Sequence, residues 1–572
     1  MSKFVLKDAI KAYTYDQDKV ISPKETVKRV KQRLRDIDLD ILKETKRIDS
    51  GRLGIPVFIS ICGTDAKETI GSKRHMGKGA TPEQAEASAL MELIERYSLF
   101  NFIRSKHSIY NYPDVKNKSI PFECIASSVN DFDIELSQKV FSEIPLSWVP
   151  AYNLTRQKEV LIPIEWFYAI NEYNGAAAGN SLEEAIIQGI CEVVERHVCA
   201  VISNEKIAVP SVDIQSIKGP VALGLIKKYS KNGINLFIKD FSLNMGIPTI
   251  GALAYDPNTF PHRSEIVFTA GTQTSPEKAL IRALTEIAQL AGDFDTYGKY
   301  VSSGLPKPKS LDEVSYITDN KKTIRISDLS DISHLNIKDE IEDCVHILSE
   351  RGLEVIVVDI THPLIKVPAV YVIIPGTQFR QRAKAASVPF FCAKLASQLK
   401  DTDKAIAILE RIKAVCQRYY VYFHLGICYL KREEYQLALN YFKRALDLGP
   451  EEQDISMIYF YIGLCYKDMN MYREAISPLK MAIDCDPQIK EFYNLLGYCY
   501  FKIKEYEKSI ESFSKVLTLD PTSAIDYANI ASNLEKMGKI EEAIGLYRLA
   551  LELEPDIDFA RKNLERLLKP AK

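Results

Sequence analysis

The amino-acid sequence predicts an α+β domain followed by an all-α solenoid of helical repeats. Short β-rich runs alternate with amphipathic helices up to about residue 378, whereas a 34-residue period governs the last third of the chain. With 572 residues the chain is also too long for one ordinary domain. We therefore expect a first domain over residues 1–378, a link over 379–395 and a repeat domain over 396–572.

The first domain is predicted from runs of two different periodicities. The runs IPVFISICG, IPTIGALAYD, EIVFTAGTQ, LEVIVVDIT and AVYVIIPG are rich in β-branched residues, which is typical of strands. The run KETVKRVKQRLRDI places its apolar residues at helical spacing. A region that mixes both patterns indicates an α+β or α/β arrangement.

The repeat domain is predicted from residues that recur every 34 positions: Pro487, Pro521 and Pro555, and Gly463, Gly497 and Ala531. This period is that of tetratricopeptide repeats, in which small residues let two helices approach closely. We expect four clear units, an earlier helix at 402–415 and a capping helix in DIDFARKNLERLLK. Such arrays present a concave surface to a protein partner, although the helices could also serve only to stabilise the chain.

Composition and charge exclude several classes of protein. The net charge of −2 argues against direct nucleic-acid binding, and no apolar run is long enough for a membrane span or a signal peptide. The 11 cysteines are odd in number and include no Cys-x-x-Cys pair, which argues against a disulfide framework and a common zinc site. A reducing cytoplasm is the expected location.

Three segments of the first domain repeat one polar pattern: TPEQAEASALMELIE at 81–95, SLEEAIIQGICEVVE at 181–195 and SPEKALIRALTEIAQ at 275–289. Thr81, Ser181 and Ser275 are expected N-caps, with Gln84 and Glu184 at the capping-box position. Glycines precede each start, so we expect strand-to-helix turns whose free amides favour anions.

Within each segment the polar residues lie on one helical face, because positions i, i+4 and i+7 point the same way. Glu92 and Glu95 share such a face, as do Glu192 and Glu195. Three solvated acidic faces are one interpretation, but stacked carboxylates repel each other unless cations are near. The second interpretation is a carboxylate-lined site for magnesium and a polyphosphate ligand. No standard phosphate-binding loop or protein-kinase signature is present.

The strings MGKGATPEQAEASALMELIERYS, NGAAAGNSLEEAIIQGICEVVERHV and SPEKALIRALTEIAQ closely resemble the YcaO family, over about residues 15 to 378. This resemblance implies a site for ATP and Mg2+, with glutamates as metal ligands: Glu92, Glu95, Glu192 and Glu195. It also implies nucleotide contacts by Lys19, Thr26, Ser88, Asn180, Glu184, Arg196 and Arg282. Structural alternatives are that Arg196 pairs with Glu192 on its own helix and that Asn180 is a turn residue.

The family's chemistry, carried over, is ATP-dependent activation of a backbone amide in a peptide or protein substrate. Relatives also imply a homodimer. The chain has a single proline, Pro570, where azoline-forming members have Pro-x-Pro-x-Pro, and its Gly-Lys-Gly-Ala-Thr string (77–81) is similar to the stand-alone branch that assists methylthiolation. Thioamide synthesis or an accessory role in methylthiolation is therefore expected. An azoline-forming cyclodehydratase and a non-catalytic repeat scaffold stay open as alternatives. No residue is predicted as the general base.

Overall fold

The computed structural model describes residues 5–129, 133–296, 304–319, 322–379 and 386–568. The chain divides into two compact units, the first comprising Met1–Ile134 and Pro145–Ala386, the second Glu135–Ile144 and Ser387–Lys572. Of the segment 379–395 that we predict as a link, residues 380–385 lie outside the described residues. The C-terminal tail with Pro570 lies outside them as well.

The strands of the first unit are β1 (Leu42–Arg47), β2 (Val57–Cys62), β3 (Arg74–Lys78), β4 (Ser108–Tyr110), β5 (Leu146–Asn153), β6 (Lys158–Pro163), β7 (Ala176–Ala178), β8 (Ser211–Val212), β9 (Asn235–Asp240), β10 (Thr249–Tyr255), β11 (Val267–Thr272), β12 (Thr323–Ile324), β13 (Ile356–Asp359) and β14 (Ala369–Ile373). Each of the five predicted strand runs contains one of these strands, so the strand predictions are confirmed.

The helices of the first unit are α1 (Pro23–Arg35), α2 (Thr64–Ile70), α3 (Pro82–Arg104), α4 (Tyr112–Val115), α5 (Phe122–Ala126), α7 (Ile164–Asn171), α8 (Leu182–Glu205), α9 (Pro220–Lys231), α10 (Pro276–Ala291), α11 (Ser315–Thr318) and α12 (Ile337–Ser349). Helix α6 (Ile134–Phe141) belongs, apart from its first residue, to the second unit. Short 3-10 turns lie at Ile214–Ser216, Gly292–Phe294, Asp312–Val314 and Ile326–Asp328. In the part of the chain that the structure describes, no helix combines the length and apolarity that a membrane crossing requires.

The described strands form three sheets, and each sheet leads into one of the three long helices. An antiparallel sheet of order β1-β2-β3 precedes α3, a six-stranded sheet of order β4-β5-β13-β14-β7, with β6 on β5, precedes α8, and a five-stranded sheet of order β11-β10-β9-β8-β12 precedes α10. The strands β3, β7 and β11 are edge strands of their sheets. The three similar sequence segments therefore form three similar strand-to-helix units.

The helix starts follow the predicted capping chemistry in two of three cases. Thr81 and Ser181 are N-caps whose hydroxyls accept a hydrogen bond from the backbone N–H of Gln84 and Glu184, respectively. Ser275 is also an N-cap, but its side chain makes no capping bond. Proline at the first position of α3 and α10 removes an N–H that would have no helical partner.

Glycine is required in β3 and β11 because each strand lies directly on the backbone of the helix that follows it. A Cβ atom on Gly77 would lie 2.0 Å from the backbone nitrogen of Ala89, and one on Gly271 would lie 2.3 Å from the carbonyl oxygen of Ala279. Both distances are far below van der Waals contact. Gly77 and Gly271 thus lie within strands and not in the turns that we expect from the sequence, and what they permit is close packing.

The second unit is helical throughout its long C-terminal part, with α13 (Val388–Ser397), α14 (Thr402–Val415), α15 (Tyr419–Lys431), α16 (Tyr435–Asp447), α17 (Glu452–Asp468), α18 (Tyr472–Cys485), α19 (Lys490–Lys502), α20 (Tyr506–Leu519), α21 (Ala524–Lys536), α22 (Ile540–Leu553) and α23 (Asp558–Leu568). Consecutive helices pack against each other in pairs from α15 to α22. The predicted earlier helix and the capping helix correspond to α14 and α23. Helix α13 begins inside the predicted link.

Small residues make the close contacts within the repeat pairs. Gly426 lies against the ring of Phe442, and a Cβ atom added to it would lie 2.6 Å from a ring carbon. Gly497 lies against the ring of Phe513 in the same way, at 3.0 Å. Gly426 and Gly463, at equivalent positions of consecutive repeats, are 37 residues apart (463 − 426) and not 34. The cause is that α17 spans 17 residues, against 13 for the equivalent helices α15, α19 and α21. The period is therefore lengthened inside a helix.

The close packing of β11 on α10 predicts the effect of adding one methyl group. Gly271→Ala should lower the free energy of unfolding of the first unit by about 2–3 kcal/mol or more, because the new Cβ overlaps backbone atoms that cannot move aside. Gly224→Ala in α9 is the matched control: no atom lies within 4 Å of its Cβ, so it should stabilise by about 0.5–1 kcal/mol. Urea unfolding of both variants measures the difference, and equal stabilities would contradict the packing.

Buried His424 predicts an acid-sensitive repeat unit. Burial, with Lys394 and Lys431 nearby, lowers the pKa of His424 to about 3, whereas an unfolded histidine titrates near about 6.5. Between these values the unfolded chain binds the additional proton, so stability should fall as pH drops below about 6.5, by about 2 kcal/mol at about pH 5.

Unfolding of the His424→Gln variant at several pH values tests this prediction. The variant should lose the fall in stability between about pH 6.5 and about pH 5. His346→Gln, at an exposed site, should retain it. A His424→Gln variant with the wild-type dependence of unfolding free energy on pH would contradict the prediction.

Candidate functional site

A cavity of about 400 Å³ in the first unit collects polar side chains from the three long helices. Helix α3 contributes residues from Gln84 to Arg96, α8 from Glu184 to Arg196 and α10 from Arg282 to Leu290. The N-terminal segment adds Gln17 and Lys19, and the turn before β7 adds Tyr173. The faces that the sequence predicts to be polar thus point into one shared, partly open cavity.

Ten of the eleven residues predicted for the site line this cavity: Lys19, Thr26, Ser88, Glu92, Glu95, Asn180, Glu184, Glu192, Arg196 and Arg282. The other predicted residue, Glu195, is 2% exposed and lies outside the lining. Its Oε2 accepts hydrogen bonds from the backbone N–H of Thr272, at 3.1 Å, and from Nε of Arg282, at 3.3 Å. Glu195 therefore contacts the cavity through Arg282.

One corner of the cavity joins the N-terminal segment to the start of α8. The ammonium of Lys19 lies 3.2 Å from Oε1 of Glu184, and Nδ2 of Asn180 donates to the same carboxylate at 2.9 and 3.2 Å. The hydroxyl of Thr26 donates to Oδ1 of Asn180 at 3.0 Å. Asn180 thus precedes the N-cap of α8 and also takes part in this polar network.

In α3 and in α8, carboxylates form ion pairs with an arginine of the same helix. Nη1 of Arg96 lies 3.2 Å from Glu95 and Nη2 lies 3.9 Å from Glu92, and the guanidinium is 3.9 Å from the ring centroid of Tyr173. In α8, Arg196 pairs with Glu192 at 3.6 Å, the pairing that the sequence left open as an alternative. Because Arg196 also lines the cavity, this pair does not remove it from the site.

Helix α10 brings its charges into the same network. The guanidinium of Arg282 donates to the amide oxygen of Gln188 at 2.7 and 3.1 Å, with that amide oriented to satisfy both side chains. Glu286 pairs with Lys78 at 2.5 Å.

Sequence reasoning assigned no role to Lys78, Glu286 or Tyr173. Glu286 has the register of Glu92 and Glu192 in its own segment, so the aligned repeat could have revealed it. Lys78 lies in the Gly-Lys-Gly-Ala-Thr string, which could have drawn attention to it. No pattern in the sequence marks Tyr173 as a site residue.

The electrostatic state of the carboxylates differs strongly across the cavity. Burial raises the pKa of Glu95 well above its usual value, because Glu192 and Glu92 reinforce it and Arg96 only partly opposes it. Burial also raises the pKa of Glu92, a third of whose side chain remains open to the cavity. For Glu286 burial is outweighed by Lys78, Arg196 and Arg282, which hold its pKa below the usual value.

His75 is neutral despite its place beside a carboxylate. Its Nδ1 lies 4.0 Å from Glu92, but burial and the positive charge of Arg96 lower the pKa of His75 to about 4. The contact is therefore not an ion pair at neutral pH. Ser72 hydrogen-bonds the other ring nitrogen, which fits a structural role.

The turn before α3 does not leave all its amides free, in contrast to the expectation from its glycines. The backbone N–H of Ala80 donates to Oδ2 of the buried Asp16 at 2.9 Å. A carboxylate of the chain itself thus takes one of the positions that we expected for an external anion.

The lining is suited to a magnesium–polyphosphate ligand. Among the described residues five carboxylates and five cations line the cavity: Glu92, Glu95, Glu184, Glu192 and Glu286, and Lys19, Lys78, Arg96, Arg196 and Arg282. Carboxylates are the oxygen ligands that Mg2+ prefers, and guanidinium groups match phosphate oxygens.

Two buried donors in this lining, Nη1 of Arg96 and Nε of Arg196, have no hydrogen-bond acceptor in the described part of the chain. Nε of Arg196 can donate to a phosphate oxygen, whereas Nη1 of Arg96 is in ion-pair contact with Glu95 at 3.2 Å. No three side chains of His, Cys, Asp or Glu converge at metal-ligand spacing within the described ranges, since the carboxylates are turned toward neighbouring cations.

Comparison with known proteins gives matches to both units. The family profile described as "YcaO cyclodehydratase, ATP-ad Mg2+-binding" matches residues 76–378. Tetratricopeptide-repeat profiles match residues 420–488, 491–523 and 527–557.

Two relatives and one solved structure illustrate the extent of the similarity. An uncharacterized protein of Methanothermobacter thermautotrophicus is 30% identical over 379 residues, covering 63% of this chain and 94% of that protein. The ribosomal protein S12 methylthiotransferase accessory factor YcaO of Escherichia coli K12 is 26% identical over 248 residues, or 39% of this chain and 42% of that protein. A heterocyclase solved in complex with substrate and cofactor shares the fold with a TM-score of 0.56 and 22% identity, over 68% of this chain and 57% of that one.

The three aligned helices, the charged cavity between their polar faces and the profile match over more than half of the chain agree with one another. The chain belongs to the YcaO family of ATP-dependent enzymes, with ATP and Mg2+ as its cofactors, and it carries tetratricopeptide repeats after the YcaO domain.

Proposed function

We propose that the protein uses Mg2+ and ATP to activate a backbone amide of a peptide or protein. The observation that carries this proposal is the cavity, in which carboxylates of α3 and α8 face arginines of α3, α8 and α10. Carboxylates suit a divalent cation and arginines suit phosphates.

The proposed ligand sets follow the family resemblance, residue by residue. The metal ligands are proposed to be Glu92, Glu95, Glu192 and Glu195, and the nucleotide contacts Lys19, Thr26, Ser88, Asn180, Glu184, Arg196 and Arg282. Because Glu195 is bonded to Arg282, the same carboxylate also orients a guanidinium that we assign to the phosphates. Lys78 and Glu286 join the site by their position in the cavity.

In the proposed reaction the amide oxygen of the substrate attacks the γ-phosphorus of ATP, and ADP leaves. A nucleophile then adds to the amide carbon, and inorganic phosphate departs with the former amide oxygen. The enzyme's side chains orient the phosphates and the substrate, because positioning and charge stabilisation are the main needs of phosphoryl transfer. Bound Mg2+ supplies charge neutralisation on the phosphoryl oxygens.

The nucleophile distinguishes the possible products. Sulfide would give a thioamide, whereas a cysteine, serine or threonine side chain of the substrate would give an azoline. We favour thioamide formation or an accessory role in methylthiolation, supported by the similarity to the accessory factor of Escherichia coli K12. An azoline-forming reaction is the alternative, supported by the fold shared with a heterocyclase.

The repeat unit is proposed to bind a protein partner or the substrate itself. Tetratricopeptide repeats serve protein interaction, and the first helices of the pairs offer partly exposed aromatic residues such as Phe423 and Phe460. A homodimer and a cytoplasmic location remain predictions. If the YcaO domain were only a scaffold for these repeats, ATP turnover would be absent.

Nucleotide binding tests the assigned carboxylates directly. Glu92→Gln should weaken Mg–ATP binding by about tenfold or more, because it removes a charged oxygen ligand from the cavity. Glu83→Gln, on the exposed side of the same helix, is the matched control and should bind as the wild type does. Titration calorimetry with and without Mg2+ measures the affinities.

The outcomes separate the candidate functions. No binding by the folded wild type removes the enzymatic proposal and favours the scaffold. Binding that Glu92→Gln leaves unchanged contradicts the ligand assignment. With peptide substrates, the mass of the product then decides the chemistry: loss of one water indicates an azoline, and replacement of oxygen by sulfur indicates a thioamide.

The opposite pKa shifts of two cavity carboxylates predict opposite effects on the stability of the nucleotide-free protein. A folded-state pKa above the unfolded value means that ionised Glu95 destabilises the fold, so Glu95→Gln should raise the free energy of unfolding at neutral pH. Glu286 has a folded-state pKa below the unfolded value, so Glu286→Gln should lower the free energy of unfolding. The rough size of each change is about 1–3 kcal/mol.

Chemical denaturation of both variants without nucleotide is the measurement. The difference in unfolding free energy between wild type and Glu286→Gln should shrink toward acid pH, because Glu286 loses its stabilising charge as the pH falls through its folded-state pKa. Equal changes of the same sign would show that the cavity charges are not arranged as described.

A further inference from the structure

The N-terminal segment reaches the cavity as a small hairpin that we define as residues 12–19. Backbone hydrogen bonds join Tyr13 and Lys19 in both directions, at 3.0 and 2.9 Å, and the N–H of Ala12 donates to the carbonyl of Lys19 at 2.9 Å. The hairpin carries Gln17 and Lys19, both of which line the cavity. A short hairpin of this kind is not stable by itself and needs tertiary contacts to hold its position.

The base of this hairpin is held by a buried cation. The ammonium of Lys11 lies 3.0 Å from Oδ2 of Asp18, in the hairpin, and 2.5 Å from Oε1 of Glu340, in α12. The side chains of Lys11 and Glu340 are 4% and 2% exposed. A buried carboxylate is costly unless it is paired, so Glu340 depends on Lys11, which also makes the shortest ion pair of Asp18.

Other bonds fix the two carboxylates and the far end of the hairpin. Glu340 also accepts hydrogen bonds from the hydroxyl of Thr274, at 2.7 Å, and the N–H of His334, at 3.1 Å. The ammonium of Lys278 donates to the carbonyl of Tyr15 at 2.9 Å and lies 3.9 Å from Asp18. These contacts tie the hairpin to the start of α10.

We propose that Lys11 is a positioning residue for the nucleotide: by tying Asp18 to Glu340, its buried ammonium holds the hairpin at the cavity. Lys11 itself does not line the cavity. Its effect reaches the site through Lys19, whose ammonium meets Glu184, and this inference therefore rests on the proposed role of Lys19 as a nucleotide contact. Without Lys11, Asp18 and Glu340 would face each other across a buried space with no cation between them.

The first arm of the test is a double-mutant cycle on the full chain. A non-hydrolysable ATP analogue with Mg2+ is titrated into wild type, Lys11→Met, Lys19→Met and the double variant. Lys11→Met should weaken binding about tenfold or more, and the double variant should bind about as Lys19→Met does, because the contact is then already lost. Wild-type affinity in Lys11→Met, or losses that simply add, would overturn the proposal.

The second arm measures the hairpin without nucleotide. Amide hydrogen exchange of Ala12, Tyr13 and Lys19 should become at least about tenfold faster in Lys11→Met. The control is Arg52→Met, which removes the cation paired at 2.6 Å with the buried Asp256 in the same unit but lies outside the cavity lining. It should lower stability while leaving both the affinity and the hairpin exchange unchanged.

Asp18→Asn covers the case in which Lys11→Met does not fold, because Asp18 is less buried and its variant should show the same changes to a smaller extent. Unchanged exchange and unchanged affinity in a folded Asp18→Asn protein overturn the proposal. A wild type that binds no analogue overturns the proposed function instead, and hydrogen exchange then decides by itself whether Lys11 holds the hairpin.

Discussion

Mutual neutralisation of buried charges is the constraint on which this site depends. Carboxylates and cations share one cavity, and each of the buried ones would carry a large desolvation penalty if it were unpaired. Two of the pairs lie within single helices, Glu92 with Arg96 and Glu192 with Arg196, whereas Glu195 with Arg282 joins α8 to α10. Sliding one long helix by a turn would break the interhelical pair, so the same charges that suit a ligand also fix the helices in register.

The repeated strand-to-helix unit explains how three helices from different parts of the chain present equivalent faces. Each follows an edge strand, begins at a Ser or Thr cap and carries its glutamates at the same distance from that cap. In two of the units, Gly77 and Gly271 let the strand lie against the helix backbone, which leaves little freedom in the helix position. Local sequence rules thus set the direction of the charged faces, and close packing sets their distance.

Those parts of the fold and site that depend on local pattern could be predicted from the sequence. Helix periodicity predicts that Glu92 and Glu95 share one face, and both line the cavity, because residues on one helical face stay together whatever the tertiary fold. Lys19, Thr26 and Asn180 were predicted from the family resemblance, and they line the cavity as well. Glu195 lies on the same face of α8 as Glu192 but does not line the cavity, because its carboxylate accepts hydrogen bonds from the backbone amide of Thr272 and the guanidinium of Arg282. Lys78 and Tyr173 could not be assigned to the site from the sequence, because they lie on a strand and in a turn that reach the cavity only through tertiary packing. Arginines of the same helices and their neighbours relieve only part of the repulsion expected among stacked carboxylates, and the raised pKa of Glu95 reflects the remainder.

The two units also differ in how far apart in sequence their decisive contacts lie. In the repeat unit, helices pack mainly against their neighbours in sequence, so a 34-residue period is enough to describe them. In the first unit the bond between Lys11 and Glu340 spans 329 residues, and no local pattern marks either partner. Such contacts cost chain entropy to close, so they persist only where the surrounding packing supports them. The proposed nucleotide site, assembled from the N-terminal segment and three distant helices, therefore requires the whole first unit to fold before it can bind, whereas the repeats can form from contacts between adjacent helices.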